Sequence, residues 1–364
     1  MELNHPVKRR KSRSVKIGDV LIGGGFPIAV QSMTTADTRD VATAVSQINA
    51  LYDSGCDIVR ISVLNHDAGN NLKKIREQVD RTRPIVADIH FQYKLALKAI
   101  EAGFDKIRIN PGNIGAEWKV REVTSAAKDR GIPIRIGVNS GSLPEDILKK
   151  YGHDTPEAFA EAAMREVAIL ESMNFEDIVI SVKSTNTQTA FWAYQMVAER
   201  CDYPLHVGIT EAGTLETGTI KSSVGIGAIL MSGIGDTIRV SLSADPIHEA
   251  PVGHKILKSC NLKPDGIEVI ACPTCGRCQI DMIPLAESIE RKTAHLKANL
   301  KVAVMGCAVN GPGEAKAADI GIAGGDGMGM LIKKGEIVAR FKEEELEEKL
   351  LAELEAMTGE KINE

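Results

Sequence analysis

Lys106-Ile107-Arg108-Ile109-Asn110-Pro111-Gly112 alternates Ile107 and Ile109 with Arg108 and Asn110, then breaks on a Pro-Gly pair. Period-two alternation bounded by a turn signal reads as a strand. Further short β-branched runs lie at 27–33, 57–63, 84–90, 133–139, 177–184, 205–211 and 237–243. Amphipathic or small-residue stretches such as 41–54, 92–102, 155–172 and 187–200 separate them and read as helices. Eight strand–helix units over about 240 residues match a (β/α)8 TIM barrel. An open doubly wound sheet would not need such regular spacing. The expected fold is α/β, with a TIM barrel over residues 1–260 and a smaller α/β domain over 261–364.

Both faces of a parallel barrel strand are buried, so continuous apolar sequence is the default. Here one parity turns polar towards the C-terminal ends, where barrel enzymes place their chemistry. Arg60 is in phase with Ser62, Asp88 with His90, and Arg108 with Asn110. The same holds for Arg135 with Asn139, Ser181 with Lys183, His206 with Gly208 and Thr210, and Arg239 with Ser241 and Ser243. A lone strand-end arginine is ordinarily a rim salt bridge. Five cations from five strands (Arg60, Arg108, Arg135, Lys183 and Arg239) outnumber the evident carboxylates, Asp88 and Glu211. Unpaired buried charge is costly, so the site is expected to demand a highly charged anion. The planar arginine fork suits a phosphate or diphosphate ester.

Composition narrows the partners. A net charge of −5 and 4% aromatic residues argue against a nucleic-acid stacking platform. No stretch approaches the ~20 apolar residues that span a bilayer, so no membrane association is expected. The basic residues Lys8, Arg9, Arg10, Lys11 and Arg13 lead into no apolar region, unlike a secretory signal. Seven cysteines without framework spacing point to a reducing, cytoplasmic setting. Val15-Lys16-Ile17 and Val20-Leu21-Ile22 around Gly18-Asp19 read as a hairpin covering the barrel floor. Gly23-Gly24-Gly25 precedes no helix and reads as a flexible join, not a phosphate loop.

Cys272 and Cys275 lie in Ala-Cys-Pro-Thr-Cys-Gly-Arg-Cys, and Cys307 in Met305-Gly306-Cys307-Ala308-Val309-Asn310-Gly311-Pro312-Gly313-Glu314. Thiolates on Gly/Pro-rich turns close around a soft metal centre, and glycines let backbone N–H groups reach the sulfurs. A redox dithiol or a chance pair is the bland alternative. A zinc ribbon needs two short ligand knuckles, and the second here has one cysteine and no histidine, which favours iron and sulfur. The ligands are either Cys272, Cys275, Cys278 and Cys307, or three of these with a weaker donor such as Glu314 in place of Cys278. Cys56, Cys201 and Cys260 read as inert core thiols.

The C-terminal part reads as strands at 266–271, 301–305 and 319–323, a hairpin of 330–332 with 336–339, and helices at 284–297 and 343–357. Glu343-Glu344-Glu345 is taken as a solvated helix face. The eighth barrel helix returns to the floor, so the small domain leaves from the face opposite the mouth. A six-residue linker spans at most about 20 Å, and a barrel is about 20–30 Å deep. Barrel and metal centre therefore either act separately or meet through head-to-tail pairing of two chains.

These motifs, with Arg9-Arg10-Lys11-Ser12, Pro27-Ile28-Ala29-Val30-Gln31-Ser32-Met33-Thr34 and Gly208-Ile209-Thr210-Glu211-Ala212-Gly213, span almost the whole chain. The sequence closely resembles the 4-hydroxy-3-methylbut-2-en-1-yl diphosphate synthase family, in its two-domain bacterial form. The resemblance implies an oxidoreductase of isoprenoid biosynthesis by the methylerythritol phosphate route. Such an enzyme reductively opens and dehydroxylates 2-C-methyl-D-erythritol 2,4-cyclodiphosphate to (E)-4-hydroxy-3-methylbut-2-enyl diphosphate. It also implies a [4Fe–4S] cluster held by Cys272, Cys275, Cys307 and Glu314, with Cys278 a departure from members lacking that cysteine. Substrate contacts are expected from Arg60, Arg108, Arg135, Asn139, Lys183, His206, Arg239 and Ser241. Glu211 is the expected proton donor, and Asp88 the residue that orients hydroxyls or relays protons. His90 and His206 are expected to orient rather than ligate. Ferredoxin or flavodoxin should supply electrons, since no nicotinamide fingerprint follows the first strand. The assembly expected is a head-to-tail homodimer. The strand pattern also permits a pterin-binding-type barrel enzyme with a structural zinc module, or a pure electron-transfer scaffold, although a scaffold has no use for five buried cations.

Overall fold

A computed structural model describes residues 7–263, 266–309, 311–325 and 327–362. Asn310 of the cysteine motif and residues 264–265 of the linker lie outside these. The chain forms two compact units, Met1–Lys263 and Pro264–Glu364.

The first unit opens with an antiparallel hairpin, β1 (Ser14–Ile17) and β2 (Val20–Gly23). Eight parallel strands follow: β3 (Ala29–Met33), β4 (Ile58–Ser62), β5 (Ile85–Asp88), β6 (Lys106–Ile109), β7 (Ile134–Asn139), β8 (Ile178–Lys183), β9 (His206–Val207) and β10 (Thr237–Ile238). Their order, β8-β7-β6-β5-β4-β3-β10-β9, closes through a bridge from Ile180 to Leu205, giving the expected barrel. Outward side chains such as Ile107, Ile109, Ile134, Ile136, Ile178 and Ile180 are wholly buried against the helices. Burying a side chain of this size stabilises the fold by about 1.5–3 kcal/mol. Val15, Ile17 and Ile22 of the hairpin pack on Ala29, Ile58, Val86 and Val179, the inward residues at the strand starts, and so plug the floor.

Three expectations need correction. The run 106–112 ends as a strand at Ile109, because proline lacks an N–H for the ladder and favours a helix start; Pro111–Ile114 is a helical turn. The runs 205–211 and 237–243 pair over two residues only. A Cβ on Gly208 would stand 2.6 Å from the Arg239 carbonyl, so the chains cross closely there. Beyond it single backbone bonds, Thr210 N–H to the Ser184 carbonyl at 3.3 Å and Ser243 N–H to the Gly213 carbonyl at 2.9 Å, replace the ladder. Gly23, Gly24 and Gly25 all have positive φ, and a Cβ on Gly23 would meet the Arg13 carbonyl at 2.0 Å. That run is a tight left-handed turn, not a flexible join.

The basic N-terminus is a strap on the last two barrel strands. Arg9 Nη2 stands 3.2 Å from Asp236 Oδ1, and Ser12 Oγ donates to the same oxygen at 2.9 Å. The other oxygen of Asp236 accepts from the Leu205 N–H at 2.8 Å. Arg10 donates to the carbonyls of Cys201 and Tyr203.

The second unit is one five-stranded sheet, β11 (Ile267–Ala271), β12 (Leu300–Met305), β13 (Ile320–Gly324), β14 (Met328–Lys333) and β15 (Glu336–Lys342), in sequence order. The first three strands are parallel and the last two join antiparallel. Helices Met282–Thr293 and Leu346–Thr358 cover one face through Ile289, Leu346, Leu350 and Leu354. The acidic run 343–345 is a 3-10 turn with structural work, since Glu343 accepts from the Asp281 N–H at 2.9 Å. No helix among the described residues is long and apolar enough to cross a membrane.

Candidate active site

The strand parity seen in the sequence converges inside the barrel. Arg60, Lys106, Arg108, Arg135 and Lys183 are buried, and Arg239 is mostly covered. The carboxylates buried beside them are Asp88 and Glu249. Glycines make the room. A Cβ at position 137 would stand 2.6 Å from Arg108 Nε, and one at 208 would stand 2.7 Å from Lys183 Nζ.

Asp88 divides itself between two arginines, with Arg108 Nη1 at 3.0 Å and Arg60 Nε at 3.6 Å. Burial alone would raise its pKa, but Arg60 and Arg108 outweigh it and hold the carboxyl below its ordinary range. Arg108 also donates to the Gly137 carbonyl at 3.2 Å and reaches His90 Nε2 at 3.3 Å. A guanidinium only donates, so His90 Nε2 is the acceptor and the ring is neutral. Arg135 has no such support. Its Nε and Nη1 are buried without a hydrogen-bond partner, and burial, then Arg60 and Arg108, push its pKa well down. Lys183 is depressed in the same way by burial, Arg239 and Arg135. Among the described residues neither Arg135 nor Lys183 has a carboxylate within ion-pair distance.

His206 is fully buried, with Nδ1 2.6 Å from Thr237 Oγ1 and Nε2 unpartnered. Burial, with Arg135, Lys183 and Lys106, holds its pKa well below the usual value. The folded protein therefore refuses a proton that the unfolded chain accepts below about pH 6.5. Stability from this residue is present above that pH and is lost as pH falls below it. Urea unfolding should show a smaller loss between pH 7 and pH 5 for His206→Gln than for the parent. Equal losses would assign the acid sensitivity to other groups.

Asn139 ends β7 half-buried and caps the turn Ser140–Ser142, and Ser241 lies half-buried beyond β10. Glu211 stands apart from the buried set. It is exposed, in the turn after β9, with φ of 51°. Two interior residues escaped the sequence reading. Lys106, hydrogen-bonded to Gln31 at 3.3 Å, shares the parity of Arg108 and was legible by that signal. Glu249 opens the helix Glu249–Ser259, where an acid reads as a routine partner of the helix N-terminus. The sequence pairing of Asp88 with Glu211 as the local carboxylates is thereby corrected to Asp88 with Glu249.

In the second unit, Cys272 follows β11 and Cys307 follows β12, and these two line one pocket with Cys275 and Glu314. The Gly306 N–H points at Cys272 Sγ at 3.3 Å, the backbone-to-sulfur contact that glycine turns provide around metal-binding cysteines. Thr274, between the first two cysteines, has φ of 51°, which turns the loop around the pocket. Cys278 does not line it. Its Sγ donates to the Ile280 carbonyl at 3.3 Å and packs on the core of this unit. Among the described residues no three Cys, His, Asp or Glu side chains gather as the ligands of one ion. Among the remaining thiols, burial pushes Cys56 up to about 12 and raises Cys201 and Cys260.

Residues 12–254 match the GcpE TIM-barrel domain, and residues 268–356 match the GcpE protein C-terminal domain. The 4-hydroxy-3-methylbut-2-en-1-yl diphosphate synthase (flavodoxin) of Caldanaerobacter subterraneus subsp. tengcongensis is 58% identical over 97% of this chain and 99% of its own. That of Clostridium perfringens is 54% identical over 96% of this chain and 100% of its own. Among solved structures, dihydropteroate synthase from Burkholderia cenocepacia aligns with a TM-score of 0.51 at 13% identity, covering 69% of this chain and 96% of its own. At that identity the likeness supports the barrel fold alone. Both halves and the near full-length relatives agree: the chain belongs to the GcpE family of 4-hydroxy-3-methylbut-2-en-1-yl diphosphate synthases.

Proposed function

We propose that this protein is the flavodoxin-dependent synthase itself. It converts 2-C-methyl-D-erythritol 2,4-cyclodiphosphate, two electrons and two protons into (E)-4-hydroxy-3-methylbut-2-enyl diphosphate and water. The observation that carries this is the barrel interior, where buried cations exceed carboxylates and Arg135 keeps two N–H groups without a partner. A cyclic diphosphate brings the missing charge and the acceptor oxygens.

Arg60, Arg108, Arg135, Lys183 and Arg239 bind the diphosphate, with Asn139, His206 and Ser241 completing its hydrogen bonds. Asp88, held ionised between Arg60 and Arg108, accepts hydrogen bonds and aims both guanidinium groups, which favours orientation over proton relay. Glu211, at the mouth, gives its proton to the departing hydroxyl oxygen. Cys272, Cys275, Cys307 and Glu314 fit a [4Fe–4S] cluster, because three thiols and one oxygen donor line a single pocket. When bound, that group would supply electrons one at a time, with Glu314 the weakest of its four ligands. Turnover of the cyclodiphosphate under anaerobic conditions with a chemical reductant tests the whole assignment, and no turnover by iron-replete protein would overturn it.

Residues 261–266 span at most about 20 Å, so we assign the metal centre serving each barrel to a second copy of the chain in a head-to-tail homodimer. Glu211→Ala and Cys307→Ser chains should each be inactive, while mixed dimers recover activity from the one site built of intact halves. Mixed dimers that form and stay inactive would remove the shared site.

A further inference from the structure

The buried carboxylate of Glu249 has no role in the assignment above, yet it holds three elements together. Its Oε2 accepts from Ser32 Oγ on β3 at 2.6 Å and lies 3.4 Å from Arg239 Nε. Its Oε1 accepts from the Leu242 N–H at 3.1 Å and lies 3.5 Å from Arg239 Nη2. Only 2% of the residue is exposed. Both oxygens are thus engaged by the guanidinium fork on one side and by fixed donors on the other. Ser32 anchors the carboxylate to the first barrel strand, and Leu242 follows Ser241 in the connection leaving β10.

We propose that Glu249 is a positioning residue for anion binding: it holds the Arg239 guanidinium in the mouth. This rests on the diphosphate reading of the barrel. Among the described residues the other hydrogen-bond contact of the Arg239 guanidinium is the Met33 sulfur at 3.9 Å, too weak and too distant to orient it. Without the carboxylate the fork has no partner that sets its plane, and a bidentate contact to phosphate needs that plane set. The carboxylate does not neutralise the site away, because Arg135 and Lys183 remain without carboxylates of their own.

The test is a double-mutant cycle on iron-replete protein, with cyclodiphosphate binding read by anaerobic calorimetry without reductant and turnover read separately. Glu249→Gln keeps the side-chain volume and one acceptor. It should weaken binding roughly ten- to a hundredfold, the range for one hydrogen bond to a charged group, and raise KM with little change in kcat. Arg239→Ala should weaken binding at least as much, and the double variant should be no worse than Arg239→Ala alone. Ser32→Ala, which loosens the carboxylate without touching Arg239, should give a smaller shift in the same direction. Effects of Glu249→Gln and Arg239→Ala that simply add, or a loss of kcat that tracks a lowered melting temperature, would make Glu249 a structural residue only. Parent protein that neither binds nor turns over the cyclodiphosphate would instead refute the diphosphate reading.

Discussion

Cys307→Ser protein purified without air is expected to hold little iron and to have no measurable turnover, while Cys278→Ser keeps about four iron and four sulfide per chain and its activity. Cys272→Ser and Cys275→Ser should behave like Cys307→Ser. The difference follows from where the sulfurs sit. Cys272, Cys275 and Cys307 line one pocket, and a backbone N–H already points at Cys272. Cys278 is turned to the core, bonded to the Ile280 carbonyl, and a Cβ on Gly306 would lie 2.5 Å from its sulfur. Bringing it to the pocket would mean rebuilding that packing. Metal analysis decides the matter independently of activity: iron lost from Cys278→Ser would return this cysteine to the ligand set and displace Glu314, and zinc in place of iron would revive a structural module.

The second large effect separates binding from stability. Arg135→Met and Arg108→Ala should each weaken cyclodiphosphate binding by about 2–5 kcal/mol, the range for truncating one partner of a buried charge pair. Their effects on the empty protein should have opposite signs. Arg135 is buried with two unpartnered N–H groups, so an apolar side chain of similar length removes a desolvated charge and should stabilise the fold by about 1 kcal/mol or more. Arg108 is the closer partner of Asp88, and its removal leaves a buried carboxylate with only the more distant Arg60, destabilising by roughly 3 kcal/mol. Urea titration and calorimetry on the same preparations measure both quantities. Unchanged binding in both variants would mean that the anion sits elsewhere, and a destabilised Arg135→Met protein would mean that Arg135 is already satisfied in the empty site.

Much of the fold was legible because period two and period 3.6 are properties of the chain itself. The helix at 187–200 and the hairpin around Gly18-Asp19 are found where patterning placed them. The two-residue strands β9 and β10 were not legible, since their length depends on the close crossing of Gly208 with the Arg239 carbonyl, a contact between distant residues. The site divides along the same line. Strand parity brings Arg60, Arg108, Arg135, Lys183, His206 and Arg239 to one interior. It cannot say that Asp88 serves Arg60 and Arg108 while Arg135 goes without, because pairing depends on register between strands. Glu249 was hidden for a related reason, arriving from a helix start in sequence terms commonplace, and acquiring its meaning only from Ser32 and Arg239.

The strap on Asp236 has a consequence for how the molecule is made. Arg9 and Asp236 are 227 positions apart, and the strands that this contact secures are the shortest in the barrel. Contacts of such sequence separation raise the contact order, which slows folding. On the ribosome, Arg9 and Ser12 emerge before Asp236 and have nothing to grip until the eighth barrel strand follows them out. The barrel's seam is therefore joined by residues that wait for a partner made 227 positions later.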